Sequence, residues 1–261
     1  MDWRQQQPRV SFGGFGGGGP TPRDLWILLA VVFGTFSLRF FSGTAWLPEI
    51  LALTPAVYSL AFLWQLVTYP FIGIGGPGLW FLLELLILFW FGRDVFRALG
   101  QKRFWRLVVT TSFVAALAAV VVQLALVALN PGSLAIPFQL MQGQRMLMVI
   151  FIAAFAVLYR HATILLFFVL PIQARWFLWL EILFAFMGFL GTRDLPGFVG
   201  ICAAVGWTYI SLIPGGLNQV LKSWRLRWAQ WRNQAELDRL RKKRGFKVVR
   251  GDQGRQGPWV H

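Results

Sequence analysis

Cysteine, histidine and charge are all scarce in this 261-residue chain, and each scarcity removes a class of function. The one cysteine, Cys202, lies in an apolar run, whereas an intrachain disulfide needs two thiols and a thiolate metal cluster needs more. The two histidines, His161 and His261, leave little material for a metal site or for general-base chemistry. No H-E-x-x-H motif and no pair of aspartates within an apolar run exists, so neither a zinc hydrolase nor an intramembrane aspartyl protease is written here. No cofactor is implied. What fills the chain instead is apolar: 57% of residues are hydrophobic, with 14 Trp and 25 Phe, and only 13% are charged. A soluble domain of this size has no core large enough to hide that surface, so the composition indicates an integral membrane protein.

Residues 1–22 are rich in Gly, Gln and Pro and read as a disordered tail that cannot offset its own ordering entropy. The apolar stretch that follows is too long for a signal peptide and lacks a small-residue cleavage site. Six spans are expected, over residues 24–41, 79–99, 105–129, 143–159, 174–190 and 195–213. Between the first two, 42–72 is apolar but broken by Pro48, Pro55 and Pro70, which predicts a surface loop with short amphipathic helices. Residues 164–170 read as a short interfacial segment ending at Pro171.

Orientation follows from the basic residues. Arg4, Arg9 and Arg23 precede span one, five lie between spans two and three, Arg160 and Arg175 separate four from five, and twelve follow span six. The other side carries only Arg39, Arg145 and Arg193. The expectation is an all-α, six-helix bundle over 23–214 with both termini cytoplasmic, followed by a basic amphipathic tail over 215–261. In that tail Trp224, Trp228 and Trp231 recur at helical spacing among Arg225, Arg227 and Arg232, ahead of the run Arg241, Lys242, Lys243, Arg244. This pattern suits an anionic leaflet or a cytoplasmic protein partner better than nucleic acid.

Arg145 opens the fourth apolar stretch, two residues after Gly143. A cation at the rim of hydrocarbon either faces a protein interior or wet cavity, or snorkels to the headgroups.

Three stretches together resemble the rhomboid family. They are FLWQLVTYPF with LLELLILFWFGRDVFRALGQKRFW over 62–105, AAFAVLYRHATILLFFVLPIQARW over 153–176, and Gly206–Trp207–Thr208–Tyr209, with GFKVVRG in the tail also similar to bacterial members. The resemblance runs over roughly residues 24–250 and implies an intramembrane serine protease fold. In active rhomboids a G-x-S-G motif opens helix four, an A-H-x-x-G motif lies on helix six, and a His and an Asn four apart on helix two hold the oxyanion. Carried onto this chain, the serine position is Arg145, the histidine position Val199, and the oxyanion pair Trp80 and Glu84. All four are replaced, and no span offers a base to activate a nucleophile. The resemblance therefore implies a pseudoprotease related to inactive rhomboids and derlins, with an intact enzyme the least favoured alternative.

The same carry-over predicts an ion pair between Glu84 and Arg145 across the former cavity, with Trp80 filling the remaining volume; otherwise each charge reaches separate water or headgroups. Gly200 with Ala204 and Cys202 with Gly206 have the spacing of close helix packing, so Cys202 reads as packing and not as a reactive thiol. Trp64 and Gln65 resemble the W-R brace of the family's interfacial loop. Catalytically dead relatives bind the transmembrane helices of clients, which implies an adaptor or scaffold for other integral membrane proteins, and the GFKVVRG ending, similar to bacterial members, implies a bacterial cytoplasmic (inner) membrane. The alternative is a fixed accessory subunit of a larger membrane complex.

Overall fold

The computed structural model describes residues 22–59, 62–76, 78–129, 137–166, 170–213, 226–232 and 234. The chain divides into two compact units, Met1–Pro214 and Gly215–His261.

Among its described residues, the regular structure of the first unit is helical apart from one short ribbon. Its elements are α1 (Arg23–Leu38), α2 (Trp46–Leu51), α3 (Gln65–Thr68), α4 (Leu79–Leu99), α5 (Gln101–Leu129), α6 (Gln144–Leu158), β1 (Thr163–Leu166), β2 (Leu170–Gln173), α7 (Trp176–Thr192) and α8 (Leu195–Leu212). Single 3-10 turns at Pro55–Ser59 and Tyr69–Phe71 complete the segment between α1 and α4. Two of these helices, α5 and α8, are long and apolar enough to cross a membrane.

The boundaries follow local chemistry. Gly100, at φ 72°, separates α4 from α5 in a conformation that disfavours a side chain. Pro196 sits in the first turn of α8, where its missing N–H is no loss, and Asp194 caps that turn. The segment expected to be a plain interfacial stretch is an antiparallel ribbon instead, with Thr163 opposite Gln173 and Leu166 opposite Leu170. An apolar run of that length has no periodicity that separates strand from helix.

The most buried helix is α6. Met146, Leu147, Ile150, Phe151, Ala153 and Ala154 are fully enclosed, and α4, α7 and α8 pack around it. At the crossing with α4, a Cβ on Gly92 would lie 3.1 Å from the Phe151 ring and 2.9 Å from Leu25 of α1, so glycine sets how closely three helices approach. The α5–α8 contact is the most extensive: Gly200 closely approaches the Ala115 carbonyl, and the small residues Ala116 and Ala119 of α5 and Ala204 of α8 are fully enclosed. Dispersion between closely approaching backbones holds such a seam, because small side chains let the helix axes come together.

Candidate functional site

The candidate site lies at the head of α6. Gly143, at φ 65°, turns the chain into the helix, and a Cβ there would strike the Ile72 carbonyl and the Ile74 side chain. The backbone N–H of Gly143 donates to Tyr69 O (3.2 Å) and that of Gln144 to Ile72 O (3.0 Å). These are two of the donors that a helix start normally leaves unpaired.

The Gln144 side chain closes the arrangement. It is 0% exposed. Its Oε1 accepts from the Ile74 N–H at 2.7 Å, its Nε2 donates to the Ile74 carbonyl, and the same nitrogen donates to Glu84 Oε2 at 2.6 Å. One amide thus joins α6, the 69–76 segment and α4.

Two more glutamines act alike. Gln142 donates to and accepts from the backbone of Leu53. Gln65 Oε1 accepts from Thr54 N–H and Oγ1, while its Nε2 donates to Ile50 O at 3.0 Å. Trp64 Nε1 reaches the same carbonyl at 3.4 Å. Thr35 of α1 donates to Phe71 O and accepts from Gly73 N–H. Tyr69 is enclosed and its hydroxyl donates to Ser112 O of α5.

Asp194 is the second polar node. Its carboxylate is 0% exposed and accepts from the backbone N–H groups of Phe138, Leu140 and Gly197, at 2.9–3.0 Å. It therefore fastens the approach to α6 onto the start of α8. Phe138 holds φ 68°, a conformation that ordinary side chains seldom adopt.

The residues expected from the sequence are distributed differently. The ion pair between Glu84 and Arg145 is not formed: Glu84 meets Gln144, and Arg145 is exposed. The reason is geometric. Successive helical residues are about 100° apart, so turning Gln144 inward turns Arg145 out. Trp80 does not fill a cavity either, since it is 78% exposed. Val199 is half-buried on α8.

The helix-packing set divides. Gly200 sits where a Cβ would be 2.6 Å from Met141 Sδ and 3.2 Å from Ala115 O, and Ala204 is enclosed. Cys202 is half-buried, and a Cβ on Gly206 would meet nothing within 4 Å, so that second pair is not a close approach. In the tail, Arg227, Trp228, Trp231 and Arg232 are described and exposed. Trp224, Arg225, Arg241, Lys242, Lys243 and Arg244 lie outside the described residues.

Chemically, the head of α6 offers an amide and a carboxylate held by hydrogen bonds. His161 is exposed beyond the opposite end of α6. Among the described residues, nothing at the head pairs a nucleophile with a base within hydrogen-bond reach.

Four polar groups were missed in the sequence: Gln142, Gln144, Asp194 and Glu181. Asp194 was readable, because an aspartate two residues before a proline is a helix-start signal. Glu181 of α7 has both carboxylate oxygens occluded and no hydrogen-bond partner among the described residues. The chain matches no protein-family model and no curated protein sequence.

Proposed function

We propose that this chain is a polytopic membrane protein with a rhomboid-like bundle of six spans, both ends cytoplasmic, that performs no proteolysis and binds transmembrane segments of other membrane proteins as an adaptor. The spans are α1, α4, α5, α6, α7 and α8; the 42–76 segment lies at the far surface. The observation that carries this reading is the closed head of α6. Where the resemblance puts a nucleophile and its oxyanion donors, the first-turn N–H groups are already bonded to Tyr69 and Ile72, and Gln144 is bonded to Ile74 and Glu84.

Exposed apolar side chains occur on α1, α4, α5 and α7 alike, and the aromatic-rich sets on α4 and α7 are the ones that support client binding. They are Trp80, Leu83 and Trp90 on α4, and Trp179, Phe184 and Met187 on α7. The two helices meet through Phe91 and Phe177, whose ring centroids are 6.3 Å apart. Aromatic and methionine side chains suit helix partners of varied sequence, because they adapt their packing.

The test is a mild-detergent purification of the tagged chain from its native membrane with quantitative mass spectrometry. Several substoichiometric membrane proteins with single spans support the adaptor. One assembly at constant ratio would replace it with a fixed accessory subunit. Client fragments that disappear when the gene is deleted would show a protease and overturn the inactive reading.

A further inference from the structure

The helical stretch 226–232 carries an exposed face that nothing in the proposed adaptor role uses. Taking Trp228 as the reference direction, helical geometry puts Trp231 about 60° to one side, Arg227 about 100° to that side and Arg232 about 40° to the other. Two indoles are thus bracketed by two guanidinium groups, while Gln230 and Leu226 fall on the opposite face. Trp228 and Trp231 are 61% and 66% exposed. The Arg232 guanidinium carbon lies 5.2 Å from the centroid of the Trp228 ring, so the cation and the ring share one side of the helix.

The charge of this segment is predominantly positive. Residues 215–261 contain twelve Lys and Arg against three Asp and Glu. Indole rings favour the headgroup level of a bilayer, where their apolar body and N–H are both satisfied, and flanking arginines favour phosphate.

We propose that the 226–232 face docks on an anionic bilayer surface, its indoles at headgroup depth and Arg227 and Arg232 on lipid phosphates. This rests on the reading of the first unit as membrane-embedded. Thirteen residues, 213–225, separate the end of α8 from Leu226, so that embedding keeps the face at high effective concentration next to the bilayer. Basic residues near an anionic leaflet each add roughly a fivefold preference, lost as salt rises. An acidic protein partner or nucleic acid would use the same charge but would not draw Trp231 to headgroup depth.

The experiment uses the full chain with Cys202→Ser, reconstituted in nanodiscs of phosphatidylcholine alone or with 30% phosphatidylglycerol. A nitroxide is placed by Trp231→Cys or, on the opposite face, by Gln230→Cys. Accessibility to oxygen against a water-soluble nickel chelate reads depth. The expected result is that the label at 231 is shielded from nickel only in the anionic discs, with 230 remaining in water. Arg227→Gln with Arg232→Gln should lower the ratio of immersed to free tail about thirtyfold. Wet labels at both positions in anionic discs overturn the proposal, and so does equal immersion in both lipids. Trp228→Cys is a second label site on the same face, should the first disturb docking. Alkaline carbonate extraction is run in parallel. A chain that washes off its membrane defeats the embedded reading itself, whereas a retained chain with wet labels defeats only the tail's role.

Discussion

The head of α6 and the α5–α8 seam hold the same helical unit by opposite means. At the head, polar side chains reach across long sequence separations and bond to backbone: Gln142 to Leu53, Gln144 to Ile74, Asp194 to Phe138 and Leu140. At the seam, alanines and a glycine let two helices touch, and the one side-chain hydrogen bond described between them is Trp207 Nε1 to Thr110 Oγ1 at 3.3 Å. The first means is directional and intolerant of losing a partner. The second is volumetric and intolerant of gaining an atom. An irregular segment such as 46–76 cannot satisfy its own backbone by periodic bonding, so side-chain amides supply what a helix ladder supplies elsewhere.

Asp194→Ala should break the contrast most severely. It strands three N–H groups at once, two of them enclosed, and the expected loss is about 3–5 kcal/mol in a detergent unfolding titration. Gln144→Leu comes next, at about 2–4 kcal/mol, because Ile74 loses both partners and Glu84 loses its donor. Arg145→Gln should stay within about 0.5 kcal/mol. A double-mutant cycle sharpens that difference: Glu84 and Gln144 should couple by more than about 1 kcal/mol, and Glu84 and Arg145 by less than about 0.5 kcal/mol. Strong coupling in the second cycle would restore the ion pair.

On the seam, Gly200→Val should cost about 1–3 kcal/mol by driving a side chain into Met141 and Ala115, while Gly206→Ala should be close to neutral. Equal effects at the two glycines would mean that the seam is not set by close approach. Glu181→Leu has the opposite sign. Replacing an occluded carboxyl that has no hydrogen-bond partner among the described residues with an apolar side chain should raise stability by about 1–3 kcal/mol. A loss there would point to a partner for the carboxyl.

The helices were legible because apolar runs are long and the interruptions chemically plain: Gly100 ends α4, and Asp194 with Pro196 starts α8. The first helix stops at Leu38, three residues short of expectation, because Arg39 and Phe40 continue only as a turn. The site was less legible. Counting along a motif assigned the inward position to Arg145, whereas the direction of a side chain follows from what its helix packs on, and that placed Gln144 inside. The bond from Gln142 to Leu53 spans 89 residues, and that from Gln144 to Ile74 spans 70. No local pattern encodes such distances. Glutamine also carries no charge to make it conspicuous among apolar neighbours.

That neutrality bears on conditions as well as on shape. An ion pair at the head of α6 would loosen as acid neutralised its carboxylate or as salt shielded both charges. The Gln144–Ile74 clasp exchanges one donor and one acceptor each way between an amide side chain and a peptide unit, and neither titrates within the range in which cells live. The amide-to-peptide part of its hold on the 69–76 segment is therefore independent of charge, and only the third bond, from the same Nε2 to the Glu84 carboxylate, involves an ionisable group. Only removal of the amide, or mechanical displacement of the segment by something that binds it more tightly, would undo it.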